Sequence, residues 1–290
     1  MSPFHPFTAD LWVAQSPLFA TNSGVWVCGF QAILIDPAIY PAEIEAMRDF
    51  LAARDIEAAY LVLTHSHWDH VFGPEHFPTV PVVAQADFSR WAAAPDARLL
   101  DKIARFEEEA DIHRHAPFTI PTPSQTFDAE GELPLGDLRL RLTHAPGHAP
   151  DQLTVYDAAS GTLWAADMLS DLEIPFVSDS LAAYERTLAD LAARDIRALV
   201  PGHGAPTIDA GEIRARLADD RAYLAELRDR VEQAVGAGKT LDETVAACAD
   251  MRFRHPDDNA GPHRLNVESV YAELGGAADA AAVGWAAAWD

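Results

Sequence analysis

The chain predicts an α/β fold in which two β-sheets stack on one another and helices cover their outer sides. Three observations predict it. Strand-like apolar runs and amphipathic helical stretches recur in both halves of the chain, the pattern of a layered sandwich. Several of the apolar runs end in a loop bearing histidine or aspartate, which one sheet edge can gather. The 290 residues, 49% of them hydrophobic, suffice for one large domain, or a domain plus an extension, with ample core.

Taken in order, Val25-Trp26-Val27 and Ala32 to Ile35 read as a hairpin around Gly29 that feeds Asp36 at its end. Pro41 opens an amphipathic helix to about Arg54, with Ile44, Met47, Phe50 and Leu51 on one face. Ala59 to Leu63 is a strand, and Pro81 to Ala84 a shorter one. Residues 86 to 110 read as helical with a break near Pro95. Pro117, Pro121 and Pro123 make the stretch to Phe127 an irregular, extended connection.

The second half repeats the scheme. Leu138 to Thr143, Gln152 to Tyr156 and Thr162 to Ala166 read as strands, with Gly161 in the last turn. Leu181 to Arg194 is an amphipathic helix and Ala198 to Val200 a strand. From Asp209 the chain becomes a long charged helix to about Val235, followed by helices over Leu241 to Met251 and Val267 to Leu274. The expected division is a catalytic domain over residues 1–208 and a helical extension over 209–290 packed on it. That extension is either a stabilising flank, or a wall of a substrate pocket or a homodimer surface, with His263 and Asn266 as its polar candidates.

Composition narrows the function. Lys and Arg number 21 against 45 Asp and Glu, a net charge of -24, and no basic stripe offsets it. Such a surface repels phosphate backbones and disfavours nucleic-acid partners. No apolar stretch approaches the ~20 residues that span a bilayer. The first residues lack a basic segment followed by an apolar one, so the expectation is a cytoplasmic protein acting on a small molecule, with no membrane partner. Cys28 and Cys248 then read as two free thiols.

The most informative stretch is Thr64-His65-Ser66-His67-Trp68-Asp69-His70, which follows the apolar run Tyr60 to Leu63. Neutral imidazole and carboxylate together are what zinc and similar divalent ions bind. His65 and His67 lie two apart, on one side of an extended segment and on different sides of a helix. His148, Asp167 and His203 follow further strand-like runs. Ligands scattered in this way favour a catalytic site over a compact structural knuckle. Ser66 sits between ligands and reads as structural. Trp68 reads as packing under the loop, with a pocket wall as the alternative. His113 and His115 either cover the site or are surface histidines beside Glu107-Glu108-Glu109, the simpler account. His144 is left outside the motif.

This set resembles the metallo-β-lactamase superfamily, whose pattern is an early Asp, then His-x-His-x-Asp-His, then His, Asp and His, each on a strand-end loop. Asp36 fits the early Asp, and the resemblance covers roughly residues 10 to 208. It implies an αββα sandwich and a dinuclear centre of two divalent metal ions, zinc first, with manganese or iron as alternatives. In that scheme His65, His67 and His148 hold one metal, Asp69, His70 and His203 the second, and Asp167 bridges them. Asp69 orients the attacking water, and Asp36 fixes a ligand imidazole through its other ring nitrogen. The expected reaction is hydrolysis of a small ester, thioester or lactone by a metal-bridging hydroxide. A β-lactam hydrolase and an iron-dependent sulfur dioxygenase are the alternatives.

Overall fold

The computed structural model describes residues 3–94, 98–113 and 117–276. Seven strands form the first sheet in chain order: β1 (His5–Pro6), β2 (Leu11–Gln15), β3 (Asn22–Cys28), β4 (Gln31–Ile35), β5 (Glu57–Val62), β6 (Val82–Gln85) and β7 (Gln125–Phe127). Its first four strands run antiparallel, and β4 to β7 are parallel. The second sheet has the order β12 (Ala198–Val200), β11 (Thr162–Trp164), β10 (Leu153–Asp157), β9 (Leu138–His144), β8 (Glu130–Leu135). Only its β11–β12 pair is parallel.

Side-chain alternation explains the layering. In β4, Ile33 and Ile35 point inward to meet Val155, Trp164 and Leu140 of the second sheet. Ala32 and Leu34 point outward to a separate cluster with α1 (Pro41–Ala52), α2 (Phe88–Ala92) and α3 (Leu99–Glu109). The outer face of the second sheet is covered by α4 (Leu181–Ala192), α5 (Ala210–Gly236), α6 (Leu241–Cys248) and α7 (Pro256–Glu273). Helix, sheet, sheet, helix is the αββα order the resemblance implied. Ile44, Met47, Phe50 and Leu51 are the buried face of α1, as their spacing requires. Truncating a ring such as Phe50 to alanine in a packed core costs about 3–5 kcal/mol.

Several expectations need correction. The proline-rich connection is extended as read, but its last three residues pair with β6 as β7. The helical stretch 86–110 is two helices, and Pro95 lies outside the described residues. α7 begins at Pro256, eleven residues before the expected Val267, and carries Pro262 inside it. Strands β1, β2 and β8 add to those read from the pattern. Leu163, Leu199, Leu217, Leu224 and Val270 share one apolar cluster, so the C-terminal helices pack directly on the second sheet. Cys28 and Cys248 are free thiols. Among the described residues no helix is long and apolar enough to cross a membrane.

Candidate metal centre

Five strands end at one edge of the sandwich, and each leads into a loop bearing a predicted residue: β4 into Asp36, β5 into the 65–70 cluster, β9 into His148, β11 into Asp167 and β12 into His203. Their convergence is held by bonds between the sheets. Asn22 of β3 donates its side-chain N–H to the carbonyls of Pro201 at 2.9 Å and Gly204 at 2.8 Å, tying the His203 loop to the first sheet. The Leu153 N–H donates to the Thr64 carbonyl at 2.9 Å. Gln152 accepts the Asp167 N–H at 3.2 Å and donates to the Ala145 carbonyl at 3.1 Å, so one side chain spaces two motif loops. Gly202 is required by proximity: a Cβ there would sit 2.1 Å from Asp167 Oδ1.

One atom each from His65, His67, His148 and Asp167 lies within 4.8 Å of the others, and the same holds for Asp69, His70 and His203. These are the two sets the motif suggested, with the Asp167 carboxylate between them. Its Oδ2 lies 3.5 Å from His65 Nε2, 3.3 Å from His148 Nε2 and 3.2 Å from His203 Nε2. Its Oδ1 lies 3.3 Å from His70 Nε2.

The tautomers follow from what each outer nitrogen touches. His148 Nδ1 faces the Phe176 carbonyl at 3.0 Å and His203 Nδ1 the Phe19 carbonyl at 3.1 Å. A carbonyl only accepts, so both Nδ1 atoms carry a proton and Nε2 is the nitrogen each ring turns to the cluster. His70 Nδ1 donates to Asp36 Oδ2 at 3.0 Å. Thr64 donates its hydroxyl to Asp36 at 2.6 Å, which leaves its oxygen to accept from His65 Nδ1 at 3.1 Å. Four imidazoles are thus fixed from outside, the arrangement that orients metal-ligating histidines. Asp36 acts as expected, on Thr64 as well as His70.

The residues fit divalent cations on an observation of their own. His65 Nε2, His70 Nε2 and Asp167 Oδ1 are buried without a hydrogen-bond partner. Leaving such atoms unsatisfied is costly, and here they gather about one carboxylate, Asp167 lying 3.5 Å from His65 Nε2 and 3.3 Å from His70 Nε2. His67 Nδ1 and His148 Nε2 meet at 3.0 Å, two ring nitrogens sharing one proton or one cation. The nitrogen and oxygen donor set suits zinc, manganese or iron.

The charges of the cluster act strongly on one another. Burial, then the charge of His70, pushes His65 down to about 4. Burial also takes His67 well below its ordinary value. Burial works the same way on His203, but Asp167 and Glu173 outweigh it and raise that imidazole to about 10. His70 is likewise raised well above its usual value, Asp167, Asp69 and Asp36 outweighing burial. Asp167 stays well below the carboxylate range because His203, His70 and His65 outweigh its desolvation.

The cluster floors a cavity of about 530 Å³. Phe19, Trp68, Trp91, Ile174 and Phe176 give it apolar walls, and Lys102 of α3 and Glu173 bring charge. Trp68 plays both roles read for it, lining the cavity and stacking on Phe106 with ring centroids 5.0 Å apart. The extension also walls the cavity, through Asp258, Asn259 and Pro262 of α7 rather than His263 or Asn266. Those two lie behind the wall. Asn266 accepts the Val177 N–H at 2.8 Å and donates to the Pro175 carbonyl at 2.7 Å and to Tyr223 Oη at 2.9 Å. His263 accepts from Tyr223 at Nδ1 and donates to the Cys248 carbonyl. Ser66, read as structural, donates to Asp151 at 3.1 Å and also lines the cavity. His113 is exposed beside Asp111 and is not among the residues lining the cavity, whereas His115 lies outside the described residues.

The metallo-beta-lactamase superfamily model matches residues 18–203, more than half of the chain. The chain belongs to that superfamily. It is 30% identical over 244 residues to the lactamase-like protein nscB of Arthroderma benhamiae, with 79% of this chain and 49% of the relative covered. It therefore spans about half the length of that curated relative. An atrochrysone carboxyl ACP thioesterase, AgnL7 of Paecilomyces divaricatus, is 27% identical over 236 residues, 79% of this chain and 66% of that one. Among solved structures, a metallo-beta-lactamase family protein of Thermus thermophilus superposes with a TM-score of 0.67 at 20% identity, over 93% of this chain and 95% of that one. The inverting sec-alkylsulfatase Pisa1 of a Pseudomonas species gives 0.74 at 18% identity, over 97% and 51%. At these identities the likeness to the solved structures is one of fold.

Proposed function

We propose that this superfamily member is a hydrolase of small acyl substrates, thioesters first, using two divalent cations held by His65, His67, His148, Asp69, His70, His203 and the shared Asp167. The observation that carries the reading is the set of outward-anchored imidazoles whose unpartnered nitrogens converge on Asp167 at the floor of a cavity. The likeness to the thioesterase AgnL7 favours the thioester among acyl substrates. Bound there, a cation pair supplies Lewis-acid polarisation of a carbonyl and lowers the pKa of water toward ~7.

The chain's own groups do the rest. The Asp69 carboxylate lines the cavity beside His203 and His70, where it orients the attacking water and takes up its proton. A thiolate leaves without protonation more readily than an alkoxide, since a thiol pKa lies near ~8.5. The reaction therefore makes little demand for a general acid. The apolar walls hold the acyl chain and exclude bulk water.

Protein purified without added metal should contain up to two divalent ions per chain. It should hydrolyse at least one small thioester, ester or lactone, lose this with chelator and regain it with the metal. RNA and DNA should be cleaved negligibly, and low salt should not rescue cleavage, because repulsion from a surface at -24 strengthens as screening falls. Oxygen uptake with a thiol substrate, or nucleic-acid cleavage without carbonyl hydrolysis, would overturn the reading.

A further inference from the structure

Only two lysines occur in the chain, Lys102 and Lys239. Lys239 is exposed in the turn between α5 and α6, whereas Lys102 is half-buried in α3. Leu99, Ile103 and Phe106 root that helix in the core, and Lys102 lines the cavity with His67, Trp68, Asp69 and Trp91. Among the described residues it is the one Lys or Arg lining the cavity.

Its ammonium has no hydrogen bond or ion pair among the described residues. Two of the acids on its own helix are held by arginines: Asp101 pairs with Arg98 at 3.3 Å and Glu109 with Arg105 at 2.9 Å, all four exposed. Of the acids lining the cavity, Asp69 and Asp167 belong to the metal cluster, Glu173 is attracted to His203 and His148, and Asp258 stands on the α7 wall. Burial lowers the Lys102 pKa, Asp69 opposes that, and Arg98 adds to it. In a chain at -24, a cation with no hydrogen bond or ion pair of its own among the described residues, facing a cavity with apolar walls, invites an anion.

We propose that Lys102 receives a carboxylate on the acyl part of the substrate, so that the preferred thioester carries a free acid on its acyl chain. This rests on the hydrolase reading. A single ammonium balances one charge, which a carboxylate carries. A phosphate dianion would leave a second charge facing Trp68 and Trp91. Lys102 is on this account a specificity-determining residue, acting on the far end of the acyl chain while the cluster acts on its carbonyl.

The test uses metal-loaded protein and two thioesters of the same small thiol, glutaryl and its uncharged isostere glutaramyl. Wild type should favour the glutaryl thioester at least tenfold in kcat/KM. That ratio should fall toward one in Lys102→Met and be largely kept in Lys102→Arg. A ratio near one in wild type, or one unmoved by Lys102→Met, would overturn the proposal while leaving the hydrolase reading intact. If neither thioester is cleaved, the hydrolase reading fails for this class and equilibrium binding decides Lys102 alone. Glutarate and glutaramide are then titrated against tryptophan fluorescence, since Trp68 and Trp91 line the cavity. The Kd for glutarate should rise at least tenfold in Lys102→Met with a much smaller change for glutaramide. Equal glutarate binding by wild type and Lys102→Met would sink the assignment.

Discussion

Asp36 grips His70 from the neighbouring strand end: its Oδ2 accepts the imidazole Nδ1–H at 3.0 Å, and both side chains are essentially buried. The same carboxylate accepts the Thr64 N–H at 2.8 Å and the Thr64 hydroxyl at 2.6 Å. Asp36 has φ 41°, a left-handed backbone that a non-glycine residue adopts at a cost of about 1–3 kcal/mol. That strain places the carboxylate where it fixes one imidazole directly and a second, His65, through Thr64. Replacing Asp36 with alanine should therefore lower metal affinity by about 10–100-fold. Competition against a chelator of known affinity measures it. Wild-type affinity in the variant would mean that Asp36 only closes the end of β4.

The cluster should respond as a unit. His65→Ala or His67→Ala should lose one metal and nearly all turnover. Asp167→Ala should reduce turnover far more than stability, because its carboxylate stands between both sets of nitrogens. Metal analysis beside thermal melting separates the two effects. A variant with full metal content and normal rate would remove that residue from the ligand set.

That these seven side chains would come together was legible in the sequence because each follows a strand-like apolar run, and a strand end fixes where its loop points. Asp36 was legible for the same reason. What supports them was not. Asn22 bonds across 179 and 182 residues and Gln152 joins two loops through pairings that no local pattern carries. β8 holds Gly131 and Pro134, residue types that favour turns over strand interiors. It tolerates them as the edge strand of its sheet, where a missing N–H costs no ladder bond. The first turns of α7 were hidden by Gly261 and Pro262, both poor helix formers. Pro262 cannot donate to the Asp258 carbonyl, and both residues line the cavity there. Lys102 gave no motif at all, only its rarity.

Asn266 tests whether the extension serves the site. Its amide satisfies the Val177 N–H and the Pro175 carbonyl, and the Phe176 carbonyl between them receives His148 Nδ1. Asn266→Leu should leave two buried backbone groups unpaired and cost about 1–3 kcal/mol in denaturant unfolding. It should also loosen His148, so metal affinity falls along with stability. Unchanged metal affinity with reduced stability would make α7 a flank alone.

The raised histidines set a pH dependence whose sign can be fixed. His203 is held at about 10 and His70 well above its ordinary value, against ~6.5 in an unfolded chain. A raised histidine pKa stabilises the folded metal-free chain fully below pH ~6.5, and this contribution is lost as pH rises through the folded value, about 10 for His203. Chelator-treated protein should accordingly lose melting temperature between pH 7 and 10. Over the same range a cation entering the cluster must displace those protons, because the Nε2 lone pairs are what it binds. His65, at about 4, has none to give at neutral pH. Zinc binding at pH 7.5 should release at least one proton per chain, and metal affinity should climb with pH toward 10. Calorimetry in buffers of different ionisation enthalpy reads the proton count directly. Heats independent of the buffer would show that His203 and His70 stand neutral in the metal-free chain, contrary to the charge that Asp167 imposes on them.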